Sequence, residues 1–159
     1  MQRLLNEQIT DGILQVATLY HRLVLVVAPA GSGKTRALQD VATQLGAKVV
    51  NVSLELSQAL LELTERQRPL RVGQILDRMV SSAGGAVLLL DNTELLFAPS
   101  LKQDPLRSLQ QLSRRRTVVA TWNGRVEERS HLVYASPDHP EYRRYAISEL
   151  HIVTTDPAL

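Results

Sequence analysis

Residues 28–35 carry the clearest chemical signal in the chain, and they read A-P-A-G-S-G-K-T. Glycines let the backbone turn so that successive N–H groups point into one concavity, and a helix that begins there adds the positive end of its dipole. In the pattern G-x-x-x-x-G-K-[ST], the lysine lies against the β- and γ-phosphates and the hydroxyl ligates Mg²⁺. The segment therefore predicts a site for a nucleoside triphosphate with Mg²⁺, and we expect the triphosphate to be ATP.

We expect the phosphate site to consist of consecutive residues of this loop and of the helix start that follows it. They are Pro29, Ala30, Gly31, Ser32, Gly33, Lys34, Thr35 and Arg36. One position departs from the pattern, because Ala28 stands where the first glycine usually lies. Alanine is compatible with the exit from a strand if its φ angle is negative.

A second chemical feature is the apolar stretch 87–90, which is followed by Asp91. It resembles the Walker B strand of P-loop nucleoside triphosphatases, in which the carboxylate holds a water molecule on Mg²⁺. Thr35 and Asp91 are therefore the predicted metal ligands. The alternative is that Asp91 is a helix-capping residue at the end of a strand.

The residue after Asp91 bears on catalysis. In AAA+ and related ATPases a glutamate follows the aspartate directly and polarises the attacking water, whereas this chain has Asn92. An amide can orient a water molecule but cannot take its proton. Glu94 is the nearest candidate for that task, and Glu55 is another, although either can equally be a surface carboxylate. The sequence thus supports nucleotide binding more than turnover.

Further candidates come from the strand tip at 117–124 and from the arginines. The stretch resembles the sensor-1 strand of AAA+ proteins, with Thr121 and Asn123 at its tip, although both are also common turn residues. Arg143 and Arg144 precede the last predicted strand, where AAA+ rings carry the arginine finger that completes a neighbour's site. Surface ion pairing is the alternative for these arginines. Other candidate fingers are Arg114, Arg115, Arg116, Arg125 and Arg129.

The elements that must position these residues alternate along the chain. Apolar, β-branched runs predict strands at 23–27, 48–52, 86–90, 117–122 and 149–155. Apolar residues at helical spacing predict helices at 2–19, 34–45, 56–63, 72–83 and from 105 to about 114. Ser53 or Ser57 is expected to cap the third helix, and 67–70 is expected to be a turn. Asp104, which Pro105 follows, is expected to cap the fifth helix. Later, 132–135 is expected to pair with the fourth strand as a hairpin, and 140–145 to form a short helix.

This alternation predicts an α/β fold with three layers. Strands that are apolar throughout are buried on both faces, so the sheet is expected to be mainly parallel, with about five strands. A chain of 159 residues suits a single domain at 1–159, with an N-terminal helix at 1–20 and the core at 21–159.

Composition limits the remaining classes. The chain has no cysteine, no apolar run long enough for a membrane span and no secretory signal pattern, so we expect a cytoplasmic protein. A net charge of +2 does not itself predict nucleic-acid binding, but residues 105–130 hold six arginines against two acids. That segment can form a basic patch or a solvated rim, so a contact with DNA stays open. Few aromatic residues argue against a base-stacking platform.

Four longer segments resemble one family. They read N-V-S-L-E-L-S at 51–57, L-L-L-D-N-T-E-L-L-F at 88–97, L-K-Q-D-P-L-R at 101–107 and H-P-E-Y-R-R-Y at 139–145. With the phosphate loop, they are similar to the BrxF family, small P-loop proteins of BREX phage-defence systems, over nearly the whole chain. The resemblance implies a prokaryotic, cytoplasmic component of an antiviral complex with other BREX proteins as partners. We also expect an AAA+-like core without a C-terminal helical lid, and a homo-oligomer with arginines acting in trans.

Three functions therefore compete. The first is an ATPase or ATP-gated switch within a defence complex. The second is a small-molecule kinase, but such kinases often place acids on the strand after the loop helix, and here that strand ends in Asn51, Val52 and Ser53. The third is a nucleotide-locked scaffold that barely hydrolyses ATP and organises partner proteins or DNA, which the amide of Asn92 favours.

Overall fold

A computed structural model of the chain describes residues 4–155. In this range eight strands occur, in the order β1 Leu23–Ala28, β2 Val49–Asn51, β3 Val87–Asp91, β4 Thr117–Asn123, β5 Arg125–Glu127, β6 His131–Tyr134, β7 Arg143–Ala146 and β8 His151–Thr154. The helices of the same range are α1 Leu5–Val16, α2 Lys34–Leu45, α3 Val52–Leu60, α4 Arg68–Ala83 and α5 Pro105–Leu112. Two 3₁₀ turns, Glu94–Phe97 and Pro99–Leu101, lie between β3 and α5.

The main sheet has five strands in the order β2-β3-β4-β1-β8, and every neighbouring pair is parallel. Strand β1 is buried along its whole length, as its unbroken apolar sequence predicts. In the register of the central pair, Leu23 lies opposite Val118 and Ala28 lies opposite Asn123. The predicted α/β fold with a mainly parallel, five-stranded sheet is confirmed, and the carboxyl ends of β1, β3 and β4 meet at one edge.

Helices cover both faces of this sheet. On one face, Ile9 and Val16 of α1 pack with Leu38 and Val41 of α2 against alternate residues of the central strands. On the other face, α3, α4 and α5 pack over the remaining residues of the strands. The apolar core on this face also includes residues of a second, smaller sheet formed by β5, β6 and β7. No helix in the described range has the length and apolar composition that crossing a membrane requires.

The second sheet corrects two predictions. Strand β6 pairs with β5 and β7, all antiparallel, instead of forming a hairpin with β4. The segment predicted as a short helix at 140–145 instead contributes Arg143–Ala146 as β7. Burial alternates along β7, with Arg143 and Tyr145 partly buried and Arg144 and Ala146 exposed. This two-residue period is typical of a strand with one solvent face, and Tyr145 is the residue that anchors its inner face.

Three helix starts refine the expected boundaries. Asn51, and neither Ser53 nor Ser57, caps α3, because its Oδ1 accepts a hydrogen bond from the Leu54 N–H at 3.1 Å. Helix α4 begins at Arg68 with a proline in its first turn, so the turn expected at 67–70 is already largely helical. The cap predicted at Asp104 is confirmed by its bond from the Arg107 N–H at 3.2 Å.

Candidate functional site

The phosphate loop joins the end of β1 to the start of α2. Gly31 and Gly33 have φ angles of 77° and 92°, a region that residues with a side chain rarely adopt. Gly33 directly precedes the first turn of α2. Ala28 is the last residue of β1 and has extended strand backbone. The two glycines that need their freedom are thus present, and alanine in place of the first glycine meets no conformational obstacle.

Lys34 is held inside the loop. Its side chain is only 5% exposed, and Nζ donates to the carbonyl oxygens of Ala28 at 2.8 Å and Pro29 at 2.7 Å. Burial lowers the pKa of Lys34, while the nearby carboxylates of Asp91 and Glu94 act in the opposite direction. The ammonium group is therefore positioned by two carbonyl oxygens that a phosphate oxygen can replace.

Asp91, at the end of β3, accepts three hydrogen bonds. Its Oδ2 accepts from the Thr35 hydroxyl at 2.6 Å, and its Oδ1 accepts from the Thr121 hydroxyl and the Asn92 N–H, each at 2.9 Å. The carboxylate and the Thr35 hydroxyl are both hard oxygen ligands of the kind Mg²⁺ prefers, so this pair fits that ion. Within residues 4–155 no three His, Cys, Asp or Glu side chains form a metal cluster, and Mg²⁺ would draw its other ligands from water and phosphate.

Residues 92–95, directly after β3, form an arch that is hydrogen-bonded to its neighbours on both sides. Asn92 has a positive φ of 52°, and its carbonyl accepts from the Ser53 N–H at 2.8 Å and from the Ser53 hydroxyl. The same hydroxyl accepts from the Leu95 N–H at 3.1 Å. On the other side, the buried Thr93 hydroxyl donates to the Thr121 carbonyl at 2.7 Å. The arch is thus tied to the start of α3 and to β4.

This arch directs Glu94 towards the tip of β4. The Asn123 side-chain amide donates a hydrogen bond to Glu94 Oε1. Thr121 lies on the same strand but bonds to Asp91. The sensor-like strand therefore contacts both acids, one through each of its polar side chains.

A cavity of about 590 Å³ joins these groups. It is lined by Ala30, Gly31, Gly33, Lys34, Thr35, Arg36, Gln39, Asp91, Asn92, Glu94 and Asn123. Pro29 and Ser32 belong to the loop without lining the cavity, and the Ser32 hydroxyl donates to the Pro29 carbonyl. Gln39 was not among the expected residues, although its position one helical turn after Thr35 is a signal that could have identified it.

The arginines expected to act in trans lie away from this cavity. Arg143 Nη2 donates to the Gln103 carbonyl at 2.9 Å, and Arg144 Nε lies 3.9 Å from the Glu127 carboxylate. Both are on β7 and not on a short helix. Glu55 is exposed on α3 and does not line the cavity either. Of the candidate catalytic residues, the structure brings together Asn92, Glu94 and Asn123.

Tyr134 is a neighbour of the site that sequence reasoning missed. Its ring stacks on Phe97, with 3.5 Å between centroids. Burial first, and then the charges of Glu141 and Glu94, raise the pKa of Tyr134 to about 12. The hydroxyl therefore stays protonated at neutral pH, and the second sheet reaches the surroundings of Glu94.

Comparison with known protein families agrees with this architecture. The family described as "ATPase family associated with various cellular activities (AAA)" matches residues 24–123, which include the phosphate loop, β3 and β4. No curated protein sequence matches the chain. A solved structure of PCH-2 from C. elegans is similar, with 15% sequence identity and a TM-score of 0.41. The similarity covers 94% of this chain but only 40% of that protein, so the chain spans less than half of its length.

Proposed function

The chain belongs to the ATPase family associated with various cellular activities, and from this premise we propose that its cavity binds Mg·ATP and supports slow hydrolysis or an ATP-gated switch. One observation carries the proposal, namely that Lys34, the Thr35–Asp91 pair and the Glu94–Asn123 pair all border one cavity. These are the groups that phosphoryl transfer needs for charge, metal binding and water positioning.

Binding begins with the loop and α2. Backbone N–H groups of the loop and the first turn of α2 face a bound anion, and the helix dipole adds to their attraction. Lys34 exchanges its two carbonyl partners for phosphate oxygens. Arg36 and Gln39 also line the cavity, and we expect their side chains to contact the rest of the nucleotide.

Thr35 and Asp91 would hold Mg²⁺, which supplies positive charge against the β- and γ-phosphates. The Thr35 hydroxyl would offer its oxygen to the ion, and Thr121 and the Asn92 N–H hold the Asp91 carboxylate in place. Asp91 is only 5% exposed, so few water molecules compete for its carboxylate.

Water activation falls to Glu94 in this proposal. A carboxylate can accept a proton from water, whereas the amide of Asn92 can only orient it. Glu94 is also bonded to Asn123, so it must share or leave that partner before it serves as a base. We therefore expect slow turnover. A bound γ-phosphate that attracts Asn123 would release Glu94, and this exchange of partners would be the switch.

The binding part of the proposal is tested by calorimetric titration of the full chain with Mg·ATP. Wild type is expected to bind, and Lys34→Ala is expected to lose binding because the point charge against the phosphates is gone. Lys48→Ala is a matched control, since Lys48 is exposed at the other end of the sheet. Absence of binding by wild type, or equal binding by Lys34→Ala, would rule the proposal out.

The nucleotide-locked scaffold is the second candidate, and the bonded state of Glu94 together with the amide of Asn92 favours it. Phosphate release under single-turnover conditions separates the two. A rate within the usual enzyme range of about 1–10³ s⁻¹ would exclude a locked scaffold. The kinase alternative receives no support, because Asn51 at the end of β2 caps α3 and no acid stands beside it on that strand.

The biological setting is a further part of the proposal. The segments at 51–57, 88–97, 101–107 and 139–145 support a cytoplasmic role in a prokaryotic BREX antiviral complex, with other BREX proteins as partners. Copies of the chain would assemble so that Arg143 or Arg144 of one copy completes the site of the next. Arg144 suits this role better, because it is exposed and its ion pair is long.

A mixing experiment tests the arginine in trans. Lys34→Ala has an intact Arg144 but no functional site, and Arg144→Ala has the reverse. Each is expected to be inactive alone, and their mixture is expected to regain part of the hydrolysis. A mixture that stays inactive while wild type turns over would exclude Arg144 as the group supplied in trans.

A further inference from the structure

Four arginines lie at the edge of the main sheet opposite the phosphate loop, and Arg107 of the adjoining helix α5 extends the group. We call this surface the basic edge, and it comprises Arg22, Arg107, Arg114, Arg115 and Arg116. Arg22 directly precedes β1, and residues 114–116 directly precede β4, its parallel neighbour. Strand β4 is seven residues long, so about 20 Å separate these arginines from the tip at Asn123.

The guanidinium groups of the basic edge have no carboxylate partner within residues 4–155. The ion pairs of that range join Arg125 and Arg144 to Glu127. Arg22 and Arg116 bond to backbone carbonyls, those of Arg114 at 3.2 Å and Val80 at 2.8 Å. These bonds hold two arginines in place while their charge stays uncompensated.

The remaining three arginines are more open. Arg114 lies over the ring of Tyr20, with 5.4 Å from its Cζ to the ring centroid. Arg107 and Arg115 have exposed side chains. Between Asp104 and Glu127 the sequence has no acid, and Asp104 is itself engaged by the Arg107 N–H and the Tyr145 hydroxyl. Positive charge therefore dominates the surface, where five arginines face two acids, Asp77 in the first hollow and Asp104 in the second.

The surface is also shaped. Two hollows, of about 530 Å³ and about 300 Å³, adjoin each other and share Arg114 and Gln111 in their walls. The first also contains Arg115 and Arg116, and the second contains Arg107. The charges thus extend over a continuous concave strip instead of forming a single pocket.

We propose that the basic edge binds the phosphate backbone of double-stranded DNA without preference for base sequence. The planar fork of arginine matches phosphate oxygens, and several such contacts along a strip fit a repeating anion. A protein partner would need an apolar centre, but within residues 4–155 the exposed large ring that contacts the strip is Tyr20, and it lies under Arg114.

Other nucleic acids fit less well. Single strands bind through exposed aromatic rings that stack with bases, and the strip offers no free ring of this kind within the described residues. Duplex RNA is recognised through its A-form shape and its 2′-hydroxyl groups as well as its phosphates, whereas the outward groups here are mainly guanidiniums, which suit phosphates. Because Arg22 and residues 114–116 lie about 20 Å from the tip of β4, DNA binding is expected with or without nucleotide.

The test is fluorescence anisotropy of a labelled DNA duplex of mixed sequence with the full chain, at about 50 mM and about 200 mM NaCl. Wild type is expected to bind at the lower salt concentration and to lose most of its affinity at the higher one. The variant Arg107→Gln/Arg114→Gln/Arg115→Gln is expected to bind at least about tenfold more weakly, with a salt slope smaller by about 3. This variant keeps Arg22 and Arg116, whose carbonyl bonds belong to the fold.

The matched control is Arg66→Gln/Arg71→Gln/Lys102→Gln, which removes the same charge from exposed positions outside the strip. It should retain most of the affinity, and both variants should keep the thermal unfolding midpoint of wild type. No binding at about 50 mM NaCl would overturn the proposal, as would equal losses in the two variants. Tighter binding to duplex RNA, or equal competition by polyglutamate, would also overturn it. Lys34→Ala should bind DNA normally, which separates this inference from the proposed ATP site.

Discussion

At the scale of single residues, Glu94 is the side chain on which turnover depends in our proposal. Glu94→Gln keeps the shape and the contact with Asn123 but removes the proton acceptor. Hydrolysis is expected to fall by about 10²- to 10⁴-fold while affinity for Mg·ATP is retained. Phosphate release and calorimetric titration measure the two quantities. Glu55→Gln, on the exposed face of α3, should leave both unchanged, and an equal loss in the two variants would contradict the role of Glu94.

Lys34 gives a prediction about pH. Its pKa in the free protein is lowered by burial, whereas bound phosphates favour the charged form and raise the pKa again. Binding therefore takes up a proton once the pH exceeds the free pKa. Affinity for Mg·ATP is expected to be level near neutral pH and to fall as the pH rises, beginning below the ordinary lysine value of 10.5.

Titrations between about pH 7 and pH 10 check this, with circular dichroism to confirm that the protein stays folded. Lys34→Arg is the companion variant, because a guanidinium keeps its charge over the whole range. If it binds at all, its affinity should be flat. A wild-type affinity that stays level up to about pH 10 would show that the lowered pKa does not govern binding.

How far these residues were predictable depends on whether their signal is local. Lys34, Thr35 and Asp91 lie in short patterns with a stated chemistry, so the sequence was enough to expect them close together. The bond between Asn123 and Glu94 depends on how the arch after β3 turns, and nothing in the local sequence specifies that turn. Ser53 was interpreted only as a helix cap, because its real partners lie 39 and 42 residues further along the chain.

At the scale of elements, the arch between β3 and α5 is held by α3. Ser53→Ala removes the hydroxyl that bonds the Asn92 carbonyl and the Leu95 N–H. We expect the turnover rate to fall by up to about 100-fold, because Glu94 loses its fixed position, while affinity for Mg·ATP persists. Steady-state kinetics that separate kcat from KM test this prediction.

Two neighbouring variants sharpen the result for Ser53. Ser53→Thr restores the hydroxyl and should recover most of the activity. Ser57 lies on the same helix, and its hydroxyl donates to the Leu54 carbonyl of that helix, so Ser57→Ala should leave the kinetics normal. A threonine variant as slow as the alanine variant would count against a positioning role.

Elements with strong periodicity were predictable, and those with mixed signals were not. The parallel strands are apolar on both faces, and the cap at Asp104 has its proline in the first turn, so both followed from local chemistry. The prediction of a helix at 140–145 was wrong because H-P-E-Y-R-R-Y contains too few apolar residues to show a period, and the segment forms β7. Its strand character comes from pairing with β6 and from the packing of Tyr145 against Trp122.

At the scale of the whole molecule, the two sheets meet at Gly124. A Cβ atom there would collide with the Val133 carbonyl and press on the Trp122 ring, whose Nε1 donates to that same carbonyl at 3.3 Å. Gly124→Ala is expected to destabilise the fold by about 1–3 kcal/mol, as overpacking does. Urea unfolding followed by circular dichroism and by the emission of the single tryptophan measures the loss.

Gly73→Ala is the control for this change. Gly73 lies within α4 with open space where a Cβ would stand, so alanine should stabilise the protein slightly, by about 0.5–1 kcal/mol. Tryptophan emission should shift to longer wavelength in native Gly124→Ala and stay unchanged in Gly73→Ala. Equal stability of the two variants would show that the sheets can separate at Gly124 without cost.

The backbone of Ala28 has a consequence for the variety of sequences that can build such a loop. This position contributes its carbonyl oxygen, which accepts from Lys34, and its strand conformation is open to any side chain that the buried space admits. The opening glycine of the usual signature is therefore dispensable wherever the strand continues up to that residue. A sequence pattern that requires the first glycine will therefore miss phosphate loops of this kind.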